Sequence, residues 1–141
     1  MYDALEIAKY IISKCFKEGA PVTNLRLQKL LYFIQGQNYR LQGKELFGDD
    51  FYAWPYGPVI PFVYFEYCGY AGAPIRREYP INSICERDKE IIDETIDILS
   101  PYDDWRLVEF SHESDAPWYK HKDNRECIPK SEIKQYFESL R

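Results

Sequence analysis

The sequence predicts a mainly α-helical, single compact domain of about six helices spanning residues 1–141, with a small β-hairpin. Three observations carry this prediction. Apolar residues recur at three- and four-residue spacing in segment after segment, helix start and stop residues bracket those segments, and one short aromatic stretch has strand composition. The length fits one core-forming domain, and no internal repeat, low-complexity tract or domain-splitting linker interrupts it.

The first helix is read over residues 3–18, where Leu5, Ala8, Ile11, Ile12, Cys15 and Phe16 form one stripe before Gly19-Ala20-Pro21 stops it. Thr23 or Asn24 caps a second helix that runs to about Gln42 and stops at Gly43, with Leu27, Leu30, Leu31, Ile34 and Leu41 on its apolar face. The same helix carries a second stripe of Gln28, Tyr32, Gln35, Tyr39 and Gln42, spaced to share one side. Amides and phenols both pack and hydrogen-bond. The stripe is therefore either a seam against a neighbouring helix or a contact surface for a partner.

Phe51-Tyr52-Ala53-Trp54 is aromatic and extended in character, and Pro55 and Pro58 forbid a helix through Tyr56-Gly57. Pro61 fits the first turn of a third helix with Phe62, Val63, Phe65 and Tyr67, ended by Gly69 and Gly72. A short strand is expected at Ile75–Tyr79, pairing with the Phe51 segment. Ile84, Ile91, Ile92, Thr95 and Leu99 mark a fourth helix terminated by Pro101. Asp103 or Asp104 caps a fifth, with Trp105, Val108 and Ser111 or His112 turned inward. Ser114–Trp118 reads as a loop, and Pro129 opens a last helix with Ile133, Tyr136, Phe137 and Leu140.

Charge and motif content narrow the function. The net charge of -5 and pI near 5.1 argue against a nucleic-acid binder, which needs a basic footprint to displace counterions from phosphates. The clusters Arg76-Arg77 and Lys120/Lys122 sit beside acids and read as solvated surface. The four cysteines lack metal-ligand spacing and read as reduced thiols of a cytoplasmic protein. No signal peptide is expected at the charged, amphipathic start, and no apolar run approaches the roughly 18 residues of a membrane span.

Chemistry is sparse. His112-Glu113 lacks the second histidine of a zinc-protease helix, because position 116 is Ala116. Only His121 remains besides, too little for a three-histidine site, so no metal and no cofactor are expected. No phosphate-cradling glycine motif is present, and Asp49-Asp50 and Asp103-Asp104 serve as caps or solvated surface. His112, Asp115 and a cysteine form no specific triad. The chain therefore reads as a binding protein and not an enzyme. A small enzyme using His112 stands as the alternative.

Two features stand out. One is the rigid aromatic turn Trp54-Pro55-Tyr56-Gly57-Pro58; the other is Ser111-His112 with Pro117-Trp118. A tryptophan beside a rigid turn anchors a partner at low entropic cost, or else staples a loop to the core. The candidate contact residues are Trp54, Tyr56, Gly57 and Pro58, then His112, Pro117 and Trp118, with Gln28 and Tyr32 as a further surface.

Together these motifs resemble the Panacea antitoxin domain. The similarity rests on Asn24-Leu25-Arg26-Leu27-Gln28-Lys29-Leu30-Leu31-Tyr32-Phe33, on Leu46-Phe47, and on Phe51–Trp54 with Tyr56-Gly57-Pro58-Val59 and Pro61. It continues through Leu107–His112, Pro117-Trp118, Ile133 and Tyr136-Phe137, so it covers about residues 4 to 138. Ser111 stands where the family often has threonine, which keeps the hydroxyl. The resemblance implies an antitoxin of a two-gene, often phage-associated system, neutralising a cognate toxin protein by direct contact. It also implies an alternative, an adaptor delivering the toxin to an AAA+ unfoldase-protease. Some relatives carry an added DNA-binding domain, for which this chain is expected to have no room.

Overall fold

The computed structural model describes residues 1–140. Its helices are α1 (Ala4–Lys17), α2 (Asn24–Gln42), α3 (Pro61–Glu66), α4 (Glu86–Leu99), α5 (Asp104–Ser111), α6 (Pro117–His121) and α7 (Lys130–Ser139). Strands β1 (Phe51–Trp54), β2 (Gly57–Val59) and β3 (Cys127–Ile128) form one antiparallel sheet in the order β2-β1-β3. Cys68–Tyr70 and Lys122–Asn124 are short 3₁₀ turns.

Helix boundaries follow local chemistry. Thr23 Oγ1 accepts from the Arg26 amide at 3.1 Å, and Gly43 closes α2 in the left-handed region at φ +70°. Asp103 caps α5 by accepting from Arg106 N at 2.8 Å. Pro61 and Pro117 occupy the first turns of α3 and α6, where a missing N–H costs nothing.

Helix α2 is the spine of the molecule, packed by α1, α4, α5, α7 and the sheet. A helix surrounded in this way is normally apolar all round. This one buries Asn24, Gln28, Lys29, Gln35 and Asn38 as well as its leucines. Each of these polar groups holds a backbone segment or another member of the row. Gln28 Oε1 accepts from Ile60 N at 3.0 Å, and its Nε2 donates to Asn24 Oδ1 at 3.1 Å. Asn24 Nδ2 in turn donates to Tyr64 O at 3.0 Å. Gln35 accepts from Leu46 N and donates to Phe47 O, both at 2.8 Å, and Asn38 Nδ2 donates to Lys44 O at 2.8 Å. The buried polar residues of α2 are thus a row of latches that fixes the loop before β1 and the entry to α3. Gln28 and Tyr32 are each 1% exposed and out of reach of a partner in this conformation.

Tyr32 centres an aromatic cluster, meeting Phe33, Phe51 and Phe137 edge-on at ring distances of 5.3, 5.5 and 5.3 Å. Gly36 lies one turn on, under the Phe137 ring; a Cβ there would sit 2.4 Å from ring carbons. The α2–α7 packing therefore needs glycine at this position.

Five expectations are corrected. Ile75–Tyr79 is not a strand: Ile75 N donates to Val22 O, while Tyr79 N is taken by the Ser13 hydroxyl, so α1 and the loop after it hold the segment. The partners of β1 are β2, across the tight Pro55-Tyr56 turn, and β3. The expected loop Ser114–Trp118 gives way at Pro117 to α6, a seventh α-helix. Trp105 and Leu41 point outward. Among the described residues, no helix is long and apolar enough to cross a membrane.

Candidate partner-binding site

The hairpin turn between β1 and β2 is built from below. Gly57 pairs with Trp54 and has φ +109°, a conformation open to glycine and strained for other residues. A Cβ on Gly57 would lie 2.6 Å from Ser111 Oγ and 2.7 Å from Lys29 Cε. The turn therefore rests directly on α2 and α5, with Ser111 oriented by donating to Val108 O at 2.7 Å.

Lys29 lies fully buried beneath the turn and donates from Nζ to Pro58 O at 2.8 Å. Desolvation of its ammonium, with no carboxylate partner, lowers its pKa to about 7. From the other side, Trp118 Nε1 donates to Trp54 O at 2.7 Å, and the His112 ring stacks on Trp118 at 3.6 Å and 6°. Burial, then the nearby Lys29 charge, holds the His112 pKa below its ordinary value, so the ring is neutral at pH 7. Among the described residues, the buried His112 Nε2 and Tyr32 hydroxyl have no hydrogen-bond partner. His112 Nε2 is thus joined to no acid or nucleophile.

The two motifs singled out in the sequence are therefore one structure. Gly57, Pro58, Pro117 and Trp118 are buried and His112 is half-buried, so these residues form the support. Trp54 is half-buried and Tyr56 is 58% exposed, so these two form the outer face.

Three exposed rings not singled out in the sequence extend that face. Trp105 of α5, 55% exposed, meets Tyr56 edge-on at 5.3 Å. Phe65 of α3, 61% exposed, meets Trp54 at 6.0 Å, and Phe62 lies one turn before it with the same exposure. Tyr64 supports Trp54 at 5.2 Å. Helical spacing places Phe62 and Phe65 on one side of α3, but only the docked fold shows that this side faces solvent. For Lys29, the one signal was a lysine flanked by Gln28 and Leu30-Leu31 within an apolar face.

Rigid rings over a locked turn can bind another protein, since little side-chain freedom is lost on contact. No group of three or more His, Cys, Asp or Glu side chains that could hold a metal ion occurs among the described residues.

Comparisons with known proteins identify the family. The family described as "Antitoxin SocA-like, Panacea domain" matches residues 27–119, which run from α2 through Trp118 and include the whole support and its aromatic face. Antitoxin SocA of Caulobacter vibrioides is 33% identical over 135 residues, covering 82% of this chain and 68% of that protein. No solved structure matches the chain. On these matches, the chain belongs to the SocA-like antitoxin family with a Panacea domain.

Proposed function

We propose that this chain is an antitoxin that neutralises a cognate toxin by direct protein contact through the aromatic face of Trp54, Tyr56, Phe62, Phe65 and Trp105. The observation carrying this reading is the contrast within the site: solvent-facing aromatic rings sit on a turn held from beneath by Lys29 and Trp118. A surface of this kind binds by shape and needs no chemistry of its own. Membership of an antitoxin family supports the biological role. The exposed, unpaired thiols of Cys68, Cys85 and Cys127 support the reading of a protein working in a reducing setting such as the cytoplasm.

The test is co-expression with the product of the adjacent gene, scoring growth and co-purification. Growth rescue with a stable complex is the expected result. Rescue with disappearance of the partner would replace capture by delivery to an AAA+ protease. A harmless neighbour and no co-purifying protein would remove the antitoxin reading.

A further inference from the structure

The charge around the aromatic face is lopsided. Glu66 follows Phe65 on α3, and Asp103 precedes Asp104 and Trp105 at the start of α5. Both carboxylates are exposed, and neither is in an ion pair among the described residues. Three cations of the helices beneath and beside the face, Arg26, Arg106 and Lys29, are committed elsewhere. Arg26 donates to Leu99 O and Tyr102 O and pairs with Asp104; Arg106 pairs with Glu109 at 3.0 Å and lies over the Phe110 ring; Lys29 is buried under the turn.

Cation–ring contacts elsewhere in the chain sharpen the contrast. Tyr79 is covered by Lys9 and Arg77, Phe110 by Arg106, and Tyr119 by Lys122. Tryptophan is the best ring for such contacts, yet no cation of the described chain covers Trp54 or Trp105. The perpendicular Tyr56–Trp105 pair, at 86°, makes a corner of two crossed rings, a shape that suits a planar guanidinium.

We propose that the aromatic face takes an arginine-bearing segment of the partner protein, with guanidinium groups stacked on Trp54 and Trp105 and their charge met by Glu66 and Asp103. This rests on the reading of the face as the toxin-contact surface and adds the chemistry of what it receives. The overall charge of -5 works in the same direction by steering a basic partner at long range.

The test uses two capped heptapeptides, one carrying two arginines among Gly, Ser and Leu, the other with glutamates in their place. Each is titrated into the full chain while the tryptophan indole N–H signals are followed by NMR. The arginine peptide is expected to shift the Trp54 and Trp105 signals saturably, and more weakly when salt rises from about 0.05 to about 0.5 M. The Glu66→Gln, Asp103→Asn double variant keeps the α5 cap and is expected to weaken that binding about threefold. Equal shifts with both peptides, stronger shifts with the glutamate peptide, or no shift with either would overturn the proposal.

A growth assay with the toxin keeps the two levels apart. If alanine at Tyr56 and Trp105 abolishes rescue while the charge variant and the peptides show no preference for arginine, the surface stands and the cation inference falls. If the alanine variant still rescues, the surface reading falls with it.

Discussion

The outer and inner halves of the hairpin site are each built on a tryptophan paired with a second ring, in opposite surroundings. Trp105 and Tyr56 pack ring to edge in solvent, whereas Trp118 and His112 pack ring on ring beneath the turn. The outer pair makes no side-chain hydrogen bond to the backbone among the described residues, and its apolar area lies in solvent. The inner pair shapes the backbone, through the indole bond from Trp118 to Trp54 O. On the proposed function, such a division separates stability from recognition: substitutions below the turn are expected to unfold or loosen it, and substitutions above it to spare the fold while removing the contact.

The largest effect should come from the point where the halves meet. Gly57→Ala forces a Cβ between Ser111 Oγ and Lys29 Cε at a φ of +109°. Strain and overpacking together should cost about 3–5 kcal/mol, read as a lowered denaturant midpoint. A midpoint within experimental error of the parent would show that the turn does not rest on α2 and α5.

Lys29 gives a signature in pH. Its folded pKa, about 7, lies below the value of about 10.4 expected when unfolded. Between these values the unfolded chain binds the proton and the folded chain does not, so stability should rise as pH increases from about 7 to about 10. Lys29→Met should flatten that rise in chemical denaturation at several pH values. An unchanged slope would place the source elsewhere.

Trp118→Phe keeps most of the ring but removes the donor to Trp54 O, for an expected loss of about 1 kcal/mol. It should also weaken partner capture, because the outer Trp54 loses its backbone anchor. Smaller again is the effect at His121, at the end of α6. Hydrogen bonds to Glu126 and Glu132 at 2.8 and 2.6 Å, with their charges, raise its pKa against a smaller opposing effect of burial. Its stabilisation is therefore complete at pH below about 6.5 and lost as pH rises through the raised folded value, a trend His121→Gln should abolish.

Much of this architecture was readable from local chemistry. Thr23, Gly43, Pro61 and Asp103 announce helix ends because each satisfies or omits a specific backbone group within a few residues. The site motifs were visible as unusual patches, but their union was not: the Trp118–Trp54 bond spans 64 positions, and no local periodicity encodes it. Ile75–Tyr79 misled because apolar and aromatic alternation suits a strand, while the actual backbone partners are Val22 and a Ser13 side chain. Trp105 misled because bulk and hydrophobicity favour burial on average, and here α5 turns that ring toward Tyr56.

The most direct test of the central claim is a Tyr56→Ala, Trp105→Ala double variant carried through melting and toxin capture side by side. Thermal stability within about 1 kcal/mol of the parent, with capture and growth rescue lost, is the expected result. Retained capture by a folded variant would contradict the assignment of this face as the toxin-contact surface.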